Sequence, residues 1–161
     1  MRYMSTRCKT LRLLPEEAIV RGLSHDGGLF VPEMIPNLRR VSLESMVEMS
    51  YQQRAVYVMS RFLETFTTAE LSDFATKAYS REKFDDAAIA PVRKVGNCTY
   101  FLELWHGPTS AFKDMALQML PHLLTASLQK TGQKSTVCIL VATSGDTGKA
   151  ALEGFCNVPQ T

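Results

Sequence analysis

Six consecutive apolar residues, from Val137 to Ala142, limit the folds open to this chain more than any other segment. A strand with one solvated face alternates apolar and polar residues, whereas a parallel strand buried on both faces reads as a continuous apolar run. Strand-forming residues at 100–104 and a helix of about fifteen residues ending near Leu128 precede this run, and a helix over residues 147–155 follows it. The order strand, helix, strand, helix predicts an α/β sheet with right-handed crossovers.

The first half of the chain predicts mainly helices. We expect a short strand near residues 3–6, a turn at residues 25–28, and three helices over residues 15–23, 43–63 and 69–78. Pro15 at an early helical position favours the start of the first helix, and a Thr67-x-x-Glu70 capping box favours the start of the third. Residues 1–85 are therefore predicted to form a mainly helical domain.

The sequence changes character after residue 90. Residues 92–95 and 100–104 are rich in strand formers and are separated by the turn residues Gly96 and Asn97, which predicts a hairpin. We assign residues 86–161 to the start of an α/β domain. A parallel sheet normally has several strands, so we expect the chain to be a fragment of a longer polypeptide or to complete its sheet with another chain.

Composition excludes several classes of function. The 161 residues are 45% hydrophobic and 21% charged, and the net charge of +2 comes from 18 basic and 16 acidic residues without a block of one sign. Nucleic acid is therefore not an expected partner. Neither a signal peptide nor a membrane-length apolar run is present, so we expect a cytoplasmic protein. The four cysteines form no CxxC pair and are expected to be buried, reduced thiols rather than metal ligands or disulfides.

A lysine lies in the loop between a predicted strand and a predicted helix. Residues 104–114 read Leu-Trp-His-Gly-Pro-Thr-Ser-Ala-Phe-Lys-Asp, in which Gly107 favours a tight turn and Thr109 or Ser110 can cap the helix. Lys113 then lies above the carboxyl ends of the strands, where open α/β sheets bind ligands. The helix dipole and burial would disfavour its ammonium form, and a neutral amine attacks aldehydes. The alternative is an ordinary exposed lysine paired with a carboxylate.

A second loop follows the apolar run. Residues 143–149 read Thr-Ser-Gly-Asp-Thr-Gly-Lys, and free N–H groups and hydroxyls at such a helix start can cradle a phosphate or carboxylate. The loop is not a P-loop, because Thr143 and Ala150 stand where that pattern needs Gly and Ser or Thr. The alternative is a helix start capped by one of its own side chains: Ser144, Asp146 or Thr147.

Three further residues have simple structural interpretations. His106 is predicted to be a hydrogen-bonding structural residue rather than a proton-transfer group. Asp26 is predicted to belong to a turn. His122 has no neighbouring acidic or cysteine partner in the sequence, so no metal site is expected.

The two loops together resemble a known family. Residues 107–114 resemble the Pro-Thr-x-Ser-Phe-Lys-Asp stretch around the pyridoxal 5'-phosphate (PLP) lysine of the tryptophan-synthase-like, fold type II enzymes. Residues 144–148 resemble the loop that usually carries Asn in place of Asp146 and holds the substrate carboxylate and the cofactor ring. Four features are similar to threonine synthases in particular. They are Asp at that position, the Leu-Trp-His-Gly-Pro-Thr sequence before the lysine, Ser-Thr-Arg at residues 5–7, and Gly-Leu-Ser-His-Asp-Gly-Gly-Leu-Phe-Val-Pro-Glu at residues 22–33.

The resemblance implies a fold and a reaction. The fold would be a three-layer αβα PLP fold of type II, truncated and preceded by a mainly helical N-terminal domain. Lys113 would form a Schiff base with PLP and move protons on O-phosphohomoserine, which reacts with water to give threonine and phosphate. The residues implied in binding the cofactor or the substrate are Ser144, Gly145, Asp146 and Thr147. Those implied in helping to hold the anionic substrate are Thr109 and Ser110.

Other interpretations stay open at this point. A threonine-synthase-like phospholyase would share the lysine and the anion loop but yield a 2-oxo acid, and a non-catalytic folding or interaction unit would need neither. In the family, the loop that binds the cofactor phosphate and the group that contacts the pyridine nitrogen lie beyond residue 161, so the isolated chain is expected to be inactive. The helices near residues 43–78 are candidates for a subunit contact in a homodimer, or plain core elements.

Overall fold

The computed structural model describes residues 1–37 and 40–161 and shows a small mixed structure of helices and short strands. In chain order the elements are β1 (Tyr3–Ser5), α1 (Pro15–Arg21), β2 (Phe30–Pro32), α2 (Arg40–Ser45), α3 (Tyr51–Phe62), α4 (Thr68–Ala78), β3 (Val92–Lys94), β4 (Tyr100–Leu102), α5 (Asp114–Leu117), α6 (Leu120–Lys130) and α7 (Asp146–Phe155). Among the described residues no helix is long and apolar enough to cross a membrane.

The N-terminal strand and its turn are confirmed. β1 pairs antiparallel with β2, with Ser5 opposite Phe30. The turn at residues 25–28 is closed by the Asp26 carboxylate, which accepts hydrogen bonds from the Ser5 hydroxyl and the Gly28 N–H, both at 2.8 Å. The bond from Gly28 is the main reason that the pKa of Asp26 lies below its usual value. Asp26 is thus a structural turn residue, as predicted.

The first helix is two residues shorter than predicted, and the second is divided. α1 starts at Pro15 as expected and ends at Arg21 because Gly22 adopts a positive φ of 67°. The helix predicted over residues 43–63 is instead α2 and α3. Ser50 causes the division, because its hydroxyl accepts the Gln53 N–H while the Gln53 side chain accepts the Ser50 N–H. This reciprocal pair starts a new helix at Tyr51.

The main core joins α3 and α4 to the chain that follows them. The predicted Thr67–Glu70 capping box opens α4, whose Leu71 is fully buried. Phe84, after α4, and Met119, between α5 and α6, complete the same cluster. The two predicted domains, residues 1–85 and 86–161, therefore share this core. Helix α1 also packs against α6.

The hairpin is confirmed, but the described residues form no parallel sheet. β3 and β4 pair antiparallel, with Arg93 opposite Phe101. Residues 137–142 are extended but belong to no ladder, and in the described part of the chain both sheets are two-stranded and antiparallel. Leu140 is 90% exposed, so the segment is not buried on both faces. Its apolar side chains had predicted a buried strand, but a strand also needs partner strands, and no described strand forms a ladder with it. The Val137 N–H donates to the Gln160 carbonyl at 2.9 Å, outside any ladder.

The helix predicted to end near Leu128 is also divided, into α5 and α6. Pro121 lies in the first turn of α6, and proline lacks the N–H that would bond to the Leu117 carbonyl four residues earlier. The freed Leu117 carbonyl faces α7, where a side chain at Gly154 would collide with it. A small residue therefore allows α7 to pack closely against α5. The last helix itself, α7, agrees with the prediction to within one residue.

The cysteines differ from the prediction in burial. All four are free thiols, as expected, but Cys8 is half-buried and the other three are exposed. Cys138 is exposed for the reason given for Leu140, because no described strand covers the extended segment. In the described residues no group of three or more potential ligands could hold a metal ion, and His122 stacks on Phe74 with ring centroids 5.9 Å apart.

Candidate functional site

A buried carboxylate organises the lysine loop. Asp114 is fully buried, and its two oxygens accept hydrogen bonds from the Thr109 hydroxyl at 2.7 Å and the Thr109 N–H at 2.8 Å. A Cβ at Gly107 would lie 2.6 Å from the Asp114 side chain, so the loop closes only around a glycine. We call this arrangement of Gly107, Thr109 and Asp114 the loop clasp. It fixes the backbone on both sides of the intervening residues.

The loop clasp replaces the predicted cap. Neither Thr109 nor Ser110 caps the following helix, since the N-cap of α5 is Lys113, without a side-chain hydrogen bond. The Thr109 hydroxyl is taken by Asp114 instead. Ser110 is exposed and has a φ of 56°, an uncommon conformation for a residue with a side chain. Backbone outliers of this kind cluster at functional sites.

Lys113 lies at the rim of a groove between α3 and α5. The lysine is half-buried, and its Nζ lies 4.5 Å from the centroid of the Phe112 ring, where the ring face stabilises an ammonium. The groove has a volume of about 660 Å³. Besides Lys113, its lining includes Tyr51, Arg54, Leu102, Leu104 and Met115. An amine beside a mainly apolar groove with a few polar groups is typical of a small-molecule site.

Helix α7, which follows the second loop, is capped by the Thr143 side chain, which the sequence had not indicated. Gly145 is the N-cap of α7, and Ser144, Asp146 and Thr147 provide no cap. The Thr143 hydroxyl accepts hydrogen bonds from the Gly148 N–H at 2.9 Å and the Gly145 N–H at 3.3 Å. The side chains predicted to cap the helix are therefore left for other contacts.

The structure brings the two loops together at one point. The Lys149 Nζ lies 3.5 Å from the Thr109 carbonyl oxygen, and α7 packs against α5. The groove beside Lys113, however, is not lined by any residue from 144 to 147. Lys113 and the predicted anion loop thus belong to neighbouring parts of the structure, and the loop does not contribute to the groove beside Lys113.

His106 is a hydrogen-bonding structural residue, as predicted, but its partners were not foreseen. Its Nδ1 lies 2.5 Å from Asp85 Oδ1, and its Nε2 lies 2.9 Å from Glu103 Oε2. The hydrogen bond with Glu103, followed by that with Asp85, raises the pKa of the imidazole above 6.5. Glu103 is three residues from His106, so the sequence could have indicated this contact. Asp85 is 21 residues away, and nothing in the sequence indicates that it bonds to His106.

The sequence analysis did not predict two of the residues near the lysine. Arg54 and Tyr51 reach the groove from α3, which the sequence predicts only as an amphipathic helix. Neither belongs to a motif, so only the packing of α3 against the loop reveals them.

Comparisons with known proteins agree on one family. Residues 2–79 match the family model described as the threonine synthase N terminus. The chain is 42% identical over 155 residues to threonine synthase from Pseudomonas aeruginosa. The match covers 96% of this chain and 32% of that protein. It is 41% identical over 142 residues to threonine synthase-like 1 from Homo sapiens, covering 86% of this chain and 19% of that protein.

Solved structures give the same result. PLP-bound threonine synthase from Brucella melitensis matches with a TM-score of 0.90 and 34% identity, over 99% of this chain and 34% of that chain. The yeast enzyme matches with a TM-score of 0.86 and 36% identity, again over 99% and 34%. The chain thus spans about a third of the length of the threonine synthases it matches. Both in sequence and in fold, this chain belongs to the threonine synthase family, of which it represents the N-terminal region.

Proposed function

We propose that this chain supplies the N-terminal part and the cofactor-binding lysine of a threonine synthase, which converts O-phosphohomoserine and water into L-threonine and phosphate. The observation that carries the proposal is the amine of Lys113, held by the loop clasp at the rim of a groove. The chain is similar to threonine synthases along almost its whole length.

The residues present suit PLP. The groove beside Lys113 is mainly apolar and large enough for a pyridine ring, and the lysine supplies a primary amine for the aldehyde. Arg54 also lines the groove and adds a positive charge there, while its Nε and Nη2 donate to the Met46 and Val47 carbonyls at 2.9 and 3.0 Å. When bound, PLP supplies an electron sink for carbanions of the substrate.

We assign roles to the predicted residues within this proposal. The Lys113 Nζ holds the cofactor and, once released, moves protons on the substrate. The four residues from Ser144 to Thr147 are assigned to the cofactor from the resemblance of their loop to the family. None of their side chains caps α7, which Thr143 does instead, although none of the four lines the groove beside Lys113. The residues assigned to the substrate are Thr109, Ser110, Ser144 and Thr147. Ser110 and Ser144 are exposed, whereas Thr109 is buried and its hydroxyl donates to Asp114, so the two serines are the better supported assignments.

Several broader expectations belong to the same proposal. The three-layer αβα arrangement of fold type II would need partner strands on both sides of residues 137–142, and the exposure of Leu140 supports this. The change from helices α1–α4 to the hairpin supports the proposed division into residues 1–85 and 86–161, which share the core around α3 and α4. Four free cysteines are in keeping with a cytoplasmic enzyme. The exposed surface of α3 and α4 is the candidate contact for a homodimer.

The relatives do not all carry the same name. Identity to human threonine synthase-like 1, at 41%, is almost the same as to the Pseudomonas threonine synthase, at 42%. Within this proposal the second candidate function is a threonine-synthase-like phospholyase, which uses the same lysine and releases phosphate but adds no water at the β carbon.

The products distinguish the two functions. We would incubate the protein made from the complete reading frame with PLP and O-phosphohomoserine and quantify phosphate, threonine and 2-oxobutanoate. Threonine and phosphate in equal amounts are expected. Phosphate with 2-oxobutanoate would establish the phospholyase instead, and no phosphate would mean that the fold is used for neither reaction.

The 161 residues on their own are expected to bind PLP weakly and to turn over no substrate. They correspond to only 32% of the Pseudomonas enzyme, and the resemblance to the family implies that the loop for the cofactor phosphate lies outside them. Titration of the isolated chain with PLP, followed by equilibrium dialysis, checks this. Tight and saturable binding of one PLP per chain would show that the proposal assigns too little of the site to these residues.

A further inference from the structure

One imidazole connects the lysine loop to the segment that follows α4. The ring nitrogens of His106 face two carboxylates, Asp85 at 2.5 Å and Glu103 at 2.9 Å. An imidazole can donate from both nitrogens only when it carries a proton on each. The His106 side chain is 14% exposed, so the surrounding chain screens it from much of the solvent. The geometry therefore suits an imidazolium held between two anions.

The charges around the ring favour the same state. Asp86 adds a third carboxylate nearby. Arg93 bridges Asp86 and Glu103, with Nη2 3.1 Å from Asp86 Oδ2 and Nε 3.6 Å from Glu103 Oε2. Three carboxylates thus surround one guanidinium and the imidazole. On the remaining side, the Trp105 ring stacks on His106 with centroids 5.6 Å apart. With the ring protonated, two positive charges face the three carboxylates, so the cationic ring lowers the net negative charge of the cluster.

The backbone continues this connection toward the lysine. The His106 carbonyl accepts the Asp85 N–H at 3.1 Å, so main chain and side chain hold His106 to the same segment. The next residue is Gly107, which packs against the Asp114 carboxylate of the loop clasp. Lys113 is the direct neighbour of Asp114. A displacement of His106 would therefore be passed through two packed residues to the lysine.

We propose that His106 is a positioning residue for Lys113: its imidazolium, shared between Asp85 and Glu103, fixes the lysine loop, residues 104–114, and thereby sets where the amine lies. The inference rests on the proposed function, because it concerns the amine assigned to the cofactor. His106 is assigned no contact with the substrate or with PLP.

The proposal has a definite pH dependence. The pKa of His106 is raised above 6.5 in the folded protein. The stabilisation of the loop is therefore complete below pH 6.5 and is lost as the pH rises through the raised pKa. Loss of the proton leaves one ring nitrogen facing a carboxylate without a hydrogen to donate.

Hydrogen exchange tests the inference without depending on activity. We would measure amide exchange by mass spectrometry in the protein from the complete reading frame, without PLP, over a pH series corrected for intrinsic exchange. The wild type, His106→Gln and the matched imidazole variant His122→Gln would be compared. We expect faster exchange confined to residues 104–114 in His106→Gln at low pH, with the wild type approaching it as the pH rises. His122→Gln should leave that loop unchanged.

Kinetics give the second readout. Because a misplacement of about 1 Å can cost ~100-fold in rate, His106→Gln should lower kcat by up to ~100-fold with little change in KM, and an unchanged kcat would overturn the positioning role. Wild-type exchange that shows no pH-dependent opening of the loop would overturn the proposal, as would unchanged exchange in His106→Gln. Faster exchange spread over the whole protein would also overturn it, since that is a general stability effect. A wild type that forms no product but shows the local opening would refute the proposed function and leave the positioning role intact.

Discussion

Lys113→Ala should abolish threonine formation by the protein from the complete reading frame, with a loss of ~1000-fold or more. The variant removes the only side chain of the lysine loop that can hold an aldehyde covalently and move protons on the substrate. Cofactor attachment is measured separately, by borohydride reduction and mass spectrometry of the peptide that contains residue 113. The reduced adduct is expected in the wild type and absent from the variant.

Two further variants make this result specific. Lys113→Arg keeps the positive charge near the Phe112 ring but removes the amine nucleophile, so it should be as inactive as the alanine variant. Lys77→Ala removes an exposed lysine of α4 that pairs with Asp73, away from the groove, and should keep full activity. Reductive attachment of PLP to another lysine, with activity intact in Lys113→Ala, would refute the assignment of Lys113.

Local chemistry predicted the elements of this fold better than the way they are joined. The capping box at Thr67 and the turn at Asp26 are formed by neighbours in the sequence, and both were predicted. The division at Ser50 is equally local, but the continuous helical pattern around it concealed the cap. The prediction of a buried strand at residues 137–142 was wrong for a different reason, because the pairing of a strand depends on segments remote from it in the sequence.

The candidate site shows the same limit. Lys113 and the loop around it were recognisable from the motif alone. The loop clasp was not, since the expected cap and the observed bond both use the Thr109 hydroxyl, and only the burial of Asp114 decides between them. Arg54 reaches the groove through the packing of two helices, and Asp85 reaches His106 from 21 residues away. Contacts made across the fold carry no signature in a single sequence.

The loop clasp should be a large contributor to both stability and activity. Asp114→Ala removes the acceptor for the Thr109 N–H and hydroxyl, in a position where neither group can turn to water because Thr109 is 7% exposed. Each buried donor left unpaired costs ~1–3 kcal/mol, so the variant should lose about 2–5 kcal/mol of unfolding free energy. Chemical denaturation followed by fluorescence, on the protein from the complete reading frame, measures this loss.

A double-mutant cycle separates the loss of the hydrogen bond between Thr109 and Asp114 from the loss of packing that Asp114→Ala also causes. Thr109→Val removes the hydroxyl but keeps the shape, so combining it with Asp114→Ala should cost less than the sum of the two single variants. Asp73→Ala, which removes an exposed aspartate paired with Lys77, should change stability by less than ~1 kcal/mol. Strict additivity of the two clasp variants would mean that the hydrogen bond between the side chains contributes nothing. A coupled loss of stability accompanied by reduced attachment of PLP at Lys113 would instead establish that the buried carboxylate holds the lysine in its working position.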